Sequence, residues 1–254
     1  MNYLDILQSY HLSWLQWSAI GLAVFLLGLS KAGIKGIGII IVVILAFVFG
    51  EKTSTGILLP MLICADILAV IYYNQHAQWK YIFKLLPMMI VGVLVGVWLG
   101  NDISEMIFKK LMAIIIIGSV ILMFLSENRK STAIPKSKVF SWIMGFLAGF
   151  TTMIGNLAGP VANIYFLAIR FPKNEFIGTA AWLFFIINIF KLPFHIFVWK
   201  TVSIQTLALN SALIPVVVFG FIVGAYLVKH ISNINYRRFI LAVTAIGGMI
   251  LLFR

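Results

Sequence analysis

The sequence predicts an all-α polytopic membrane protein made of two inverted structural repeats. Each repeat holds a broken or re-entrant helix pair plus three spanning helices, about eight to ten membrane segments in all. Three observations predict this. The 254 residues are 62% hydrophobic and only 10% charged, with a mean hydropathy of +1.08. Apolar stretches of about 17–25 residues, enough to cross a bilayer, follow one another with short polar breaks. A polar, glycine-rich interruption recurs at matching places in the two halves, where only a protein-enclosed or watery cavity tolerates it.

In chain order, the first half contributes apolar segments at 14–30, 34–49, 53–73, 81–100 and 105–125. Its break, Lys31-Ala32-Gly33-Ile34-Lys35-Gly36-Ile37-Gly38, separates the first two. Residues 1–125 form the N-terminal repeat and 126–137 a polar cytoplasmic linker with Glu127, Arg129, Lys130, Pro135 and Lys136. Residues 138–254 form the C-terminal repeat, with segments at 138–154, 158–170, 175–198, 203–229 and 236–253. Its break is Thr151-Thr152-Met153-Ile154-Gly155-Asn156-Leu157-Ala158-Gly159-Pro160. Each pair around a break is either two thin spans or one returning hairpin. Residues 1–13 carry no Lys or Arg and lack the cationic start of a signal peptide.

The halves align residue by residue. Gly33 and Gly155, Gly56 and Gly178, and Asp66 and Asn188 are each 122 apart. Farther on, Pro87 and Pro215, Gly92 and Gly220, Gly96 and Gly224, and Lys109-Lys110 and Arg237-Arg238 are each 128 apart, which places an insertion of six residues near 194–203. Self-similarity at a fixed offset is an architectural signal. Whether a broken pair counts as two spans or none, one half crosses the membrane an odd number of times, so the second half is upside down. With both termini outside, eleven basic residues face the cytoplasm: Lys80, Lys84, Arg129, Lys130, Lys136, Lys138, Arg170, Lys173, Lys229, Arg237 and Arg238. Lys52, Lys109, Lys110, Lys200 and Arg254 stay outside.

Composition narrows the function. The net charge of +12 would raise nucleic acid as a partner in a soluble chain; here the cations sit mostly in loops and set topology. One cysteine, Cys64, excludes disulfides and multi-cysteine metal sites. His11, His76, His195 and His230 are scattered without metal-ligand spacing. No nucleophile elbow, ATP motif or cofactor motif is present, so the expected chain is not an enzyme, carries no cofactor and is driven by gradients. Trp14, Trp17, Trp79, Trp98, Trp142 and Trp199 lie near segment ends, as aromatic belts do.

The residues that carry chemistry cluster at the breaks. Lys31 and Lys35 sit between two short apolar segments, and a lysine near the bilayer centre costs about 2.5–3.5 kcal/mol on insertion scales, so it persists where it binds something. A second helix starting near Gly36 would point free N–H groups at the same place, an arrangement that favours anions. Gly33, Gly36 and Gly38 would allow positive φ and close backbone approach. The second break offers Thr152, Gly155, Asn156, Gly159 and Asn163 as neutral donors and small residues, with Pro160 in a first helical turn. Asp66 is the one acid well inside an apolar segment, a counter-ion for Lys31 or Lys35, a proton carrier, or a structural ion pair. Asn188 is its counterpart. Lys191, one turn after Asn188, either adds charge to the cavity or snorkels to an interface marked by Pro193 and Trp199.

These residues together resemble the sulfite exporter TauE/SafE family. The likeness runs from about Gly21 to the C-terminus. It rests on Gly28-Leu29-Ser30-Lys31-Ala32-Gly33-Ile34-Lys35-Gly36-Ile37-Gly38, Pro87-x4-Gly92-x3-Gly96, Gly145-x3-Gly149, Gly159-Pro160, Tyr165 and Gly178-Thr179. The resemblance implies an inner-membrane secondary carrier, often an exporter, of a small sulfur oxyanion or organosulfonate. It points to Lys31, Gly33, Lys35 and Gly36, and to Gly155, Asn156, Gly159 and Pro160, as the site. The sequence departs from the family pattern in the aliphatic run 39–44 and at Asn156-Leu157-Ala158. The expected partners are a small anion, the lipid bilayer and a coupling proton, with one half rocking against the other. An anion channel, or a carrier of a carboxylate, is the alternative.

Overall fold

The structure, a computed structural model, describes residues 3–101, 104, 106, 107, 110, 114, 138–232, 235 and 236. The segments expected at 105–125 and 236–253 and the linker 126–137 lie wholly or largely outside the described residues. Within them the chain is helical: α1 (Tyr3–Gln8), α2 (Trp14–Ala32), α3 (Gly38–Phe49), α4 (Glu51–Tyr73), α5 (Trp79–Asn101), α6 (Lys138–Gly155), α7 (Ala158–Ile169), α8 (Lys173–Pro193) and α9 (Ile204–Lys229). Six are long and apolar enough to cross a bilayer. The twelve-residue α3 and α7 reach about 18 Å, well short of the roughly 30 Å hydrocarbon layer.

Local chemistry sets several boundaries. Ser13 starts α2 through a capping box with Gln16, and Ser203 starts α9 through one with Thr206. The Lys173 ammonium donates to the Val228 and Ile231 carbonyls at 2.8 and 2.6 Å, closing the end of α9. A π-helical turn, Phe194–Val198, extends α8, and with the loop to Ser203 it occupies the place where the sequence puts its insertion.

Packing is organised by glycines that let backbones touch. Gly28 lies against Val217 and Phe221, Gly220 against Phe25, and Gly224 against Leu29 and Ala32, so α2 and α9 run parallel. Gly145 meets Leu85, Gly149 meets Met89, Gly92 meets Phe146 and Phe150, and Gly96 meets Met153, so α5 and α6 run parallel too. The contacts correspond across the halves: Phe25 and Phe146, like Ala32 and Met153, are 121 apart, and their glycine partners are 128 apart. Helices α4 and α8 run antiparallel. Gly56 packs on Thr201 at one end, Gly178 packs on Tyr73 at the other, and Asp66 meets Asn188 between them. The most enclosed long helix is α4, with 72% of its membrane-length window buried. Trp14, Trp98, Phe47, Phe83, Phe197 and Tyr226 project outward, as a lipid-facing surface requires. Trp199 does not join that belt: it is buried, donates from Nε1 to the Val97 carbonyl at 3.2 Å, and fills the space over Gly100.

A Cβ on Gly149 would sit 2.0 Å from the Met89 carbonyl oxygen, whereas one on Gly21 meets nothing within 4 Å. Gly149→Ala should therefore destabilise the protein by about 1–3 kcal/mol through overpacking, while Gly21→Ala leaves thermal unfolding in detergent unchanged. Equal melting of the two variants would contradict this packing.

Candidate anion-binding site

The first break is a turn rather than an unwound stretch. The Gly33 N–H donates to Ser30 at 3.2 Å and the Ile34 N–H to Leu29 at 3.0 Å, closing α2 with a Schellman pair. Gly33 at φ 128° and Gly36 at φ 99° supply the left-handed geometry. Gly38 does not: it is helical and opens α3, so the second helix starts two residues later than the sequence led one to expect. In the second break the left-handed residue is Asn156 at φ 55°, not Gly155, which ends α6 in helical geometry. Asn tolerates that region because its short polar side chain bonds locally.

A buried polar network joins the two breaks. Lys31 Nζ donates to Asp66 Oδ1 at 2.6 Å. Asn188 Nδ2 donates to Asp66 Oδ2 at 2.7 Å. Lys191 Nζ donates to Asn188 Oδ1 at 3.3 Å, Thr152 Oγ1 at 3.1 Å and Asn156 Oδ1 at 2.6 Å. Asn156 Nδ2 returns to the Thr55 carbonyl of α4 at 2.9 Å. Lys191 is 0% exposed, so it does not snorkel. The π turn prolongs α8 beyond Pro193, which leaves Lys191 well inside the protein. Asp66 pairs with Lys31 and not with Lys35, and Lys31 also lies 5.0 Å from the centre of the Phe184 ring.

Between the breaks lies a cavity of about 70 Å³. Lys31, Lys35, Gly36, Thr152, Asn156, Gly159, Asn163 and Asn188 line it, together with Ser30, Gly38, Leu58, Leu62 and Phe184. Gly33, Gly155, Asp66 and Lys191 do not: the glycines shape the turns, and the charged pair stands behind the wall. Gly38 and Gly159, in the first turns of α3 and α7, would each meet nothing within 4 Å if given a Cβ, so bare backbone faces the cavity from both sides. Lys35 is 5% exposed, and its ammonium makes no hydrogen bond or ion pair with the described residues. Asn163 Oδ1 is also buried without a partner among them. Among the described residues three buried lysines therefore stand around the cavity against one buried aspartate, and the one whose ammonium has no acceptor among them, Lys35, lines it.

Sequence spacing carries no signal for several contacts near the breaks, because each pairs residues far apart in the chain or across a turn. Gly56 packs on Thr201, and His195 Nδ1 and Thr201 Oγ1 hydrogen-bond at 2.8 Å. A separate vestibule of about 490 Å³ is lined by Tyr10, Lys52, Thr53, Trp199, Lys200, Thr201 and Ser203. Tyr73 donates to the Ala32 carbonyl at 2.8 Å and Tyr236 to the Gly33 carbonyl at 2.6 Å.

Residues 20–251 match the family described as Sulfite exporter TauE/SafE. Neither a curated protein nor a solved structure matches the chain.

Removing one member of a buried ion pair leaves the other uncompensated, at a cost of about 3–5 kcal/mol, whereas an apolar replacement of both is often neutral. Asp66→Leu should therefore lower the melting temperature sharply, and Lys31→Met/Asp66→Leu should recover most of the loss. A double variant no more stable than Asp66→Leu alone would contradict this.

Proposed function

The chain belongs to the sulfite exporter TauE/SafE family of membrane transporters, and on that premise we propose that it is a secondary carrier, working as an exporter, for a small sulfur-containing oxyanion or organosulfonate held between the two breaks. The observation that carries this reading is Lys35, a buried ammonium with no acceptor among the described residues, lining a cavity with Thr152, Asn156, Gly159 and Asn163. A buried charge is costly unless paired, so the missing partner is an anion. Size supports the class. The roughly 70 Å³ cavity is well above the about 10–15 Å³ that a single water needs, which leaves room for a small anion. Lys35 supplies charge, Thr152 a hydroxyl donor, Gly36 and Gly159 close backbone approach, and Asn163 can turn its amide so that Nδ2 faces the ligand. Asp66 fixes Lys31 and balances charge. A family member that moves solutes across the bilayer has no bond to make or break here, and the chain is not an enzyme.

Two repeats of opposite orientation, 1–125 and 138–254 with 126–137 as the linker, underlie this reading. The 121- and 128-residue offsets in the glycine contacts and the antiparallel crossing of Asp66 and Asn188 support it. The glycine contacts also alter the expected motion. The first helix of each half interlocks with a late helix of the other, α2 with α9 and α5 with α6, so the bodies that rock are these mixed bundles moving against α4 and α8. The basic residues favour a cell inner membrane with the termini outside.

Lys35→Ala should reduce counterflow of labelled sulfite in proteoliposomes to the level of empty liposomes while melting stays within a few degrees of wild type. Wild-type flux in Lys35→Ala would remove the site, and single-channel currents would replace the carrier with a channel.

A further inference from the structure

Lys191 differs from the other buried lysines in the company it keeps. Lys31 has a carboxylate; Lys35 has the open cavity. Lys191 has three neutral oxygens, from Thr152, Asn156 and Asn188, and no exposure. Lysine, unlike arginine, can give up its proton inside a protein. The three acceptors differ in what they allow. Asn156 Oδ1 and Asn188 Oδ1 can only accept, because their amide nitrogens already donate to the Thr55 carbonyl and to Asp66. The Thr152 hydroxyl makes no other hydrogen bond with the described residues, so it can accept from an ammonium or turn and donate to an amine. An ammonium places its three N–H bonds on the three oxygens. A neutral amine places two on the asparagines and accepts the Thr152 proton on its lone pair. In both protonation states the Lys191 nitrogen and its three oxygen partners stay hydrogen-bonded to one another.

We propose that Lys191, rather than Asp66, is the coupling-proton site, and that Thr152 makes its protonation reversible. This rests on the carrier reading above. The charged and titratable groups around Lys191 are Lys31 of α2, Lys35 of the break, Asp66 of α4 and His195 of α8. The helices α3 and α7 carry no Asp, Glu, Lys, Arg or His, and α5 has its lysines only near its start, at Lys80 and Lys84. Asp66 is committed to Lys31 and Asn188, and of the three buried lysines Lys191 alone sits among three oxygens that suit both an ammonium and an amine. His195 follows one turn later on the same element, wholly buried, with Nε2 unpartnered and Nδ1 bonded to Thr201, a residue of the vestibule wall.

The balance is simple. A monoanion enters beside Lys35, one proton adds to the Lys191 lone pair, and both leave on the other side, so the site carries the same net charge empty and loaded. Anion and proton each favour binding of the other, because the coupling is reciprocal. Net movement is one anion with one proton in the same direction, so export runs when the outward anion gradient exceeds the opposing proton gradient.

The test uses the full chain in proteoliposomes with labelled methanesulfonate, which stays a monoanion at every working pH. In the wild type, one unit of imposed pH gradient should support about tenfold accumulation in the more alkaline compartment. In Lys191→Arg and in Thr152→Val, the accumulation ratio should become independent of the gradient, whatever the rate. A gradient response kept in a folded Lys191→Arg overturns the proposal. A second measurement is independent of transport. In protein labelled at lysine Cε, the signal assigned by its absence from Lys191→Met should move with pH while the protein stays folded. A Lys191 signal fixed at its ammonium position overturns the proposal. Wild-type vesicles that carry neither methanesulfonate nor sulfite would instead sink the carrier reading and leave the NMR result to decide this one.

Discussion

One buried carboxylate holds the middle of this protein. Asp66 accepts from the Lys31 ammonium and from the Asn188 amide, so α2, α4 and α8 meet at one point with their polar groups satisfied. The bonding does not stop there. Asn188 passes to Lys191, Lys191 to Thr152 and Asn156, and Asn156 back to Thr55 of α4. In a medium without water an unsatisfied member of such a loop is costly, which makes the loop fix the geometry of both breaks together. Because Asp66 is spent on Lys31, no carboxylate is left for Lys35. The cavity therefore owes its positive character to the way its one acid is used.

Around that point the helices approach as closely as backbones allow. Gly28, Gly92, Gly149 and Gly220 each lie where a Cβ would meet a carbonyl oxygen at 2.0–2.3 Å. Lipid supplies no hydrophobic drive for helices to associate, so dispersion between touching backbones has to do it, and small residues make that contact possible. The result is two tight parallel pairs, α2 with α9 and α5 with α6, each drawing one helix from either half. The short α3 and α7 hang from these pairs and bring their first turns, at Gly38 and Gly159, to the cavity. Tight pairs and a satisfied central loop leave the cavity wall as the place where a ligand adds something new.

Much of this was legible in the sequence. The glycines at matched offsets, Gly92 with Gly220 and Gly96 with Gly224, prove to be sites of close helix packing, although the offsets did not say which helices would meet there. The candidate pairing of Asp66 with a break lysine could be read because a lone acid in an apolar segment needs a cation. Other features were not legible. Lys191 looked like an interface residue because Pro193 and Trp199 looked like a helix end, but the π turn carries the helix past the proline and Trp199 turns inward over Gly100. The left-handed residue of the second break is Asn156 and not its glycine neighbour, a choice set by how Asn156 reaches both Lys191 and Thr55. The contacts at Thr201, Tyr73 and Tyr236 join distant segments, which periodicity does not encode.

The account depends most on a small anion lying against Lys35 between the two breaks. Selenite, a heavier relative of sulfite, makes this directly visible through the anomalous scattering of selenium in crystals of the protein. The account predicts an anomalous peak within hydrogen-bonding distance of Lys35 Nζ, flanked by Thr152 and the Gly159 turn. A cavity with no such peak, and Lys35 folded away onto another partner, would contradict it.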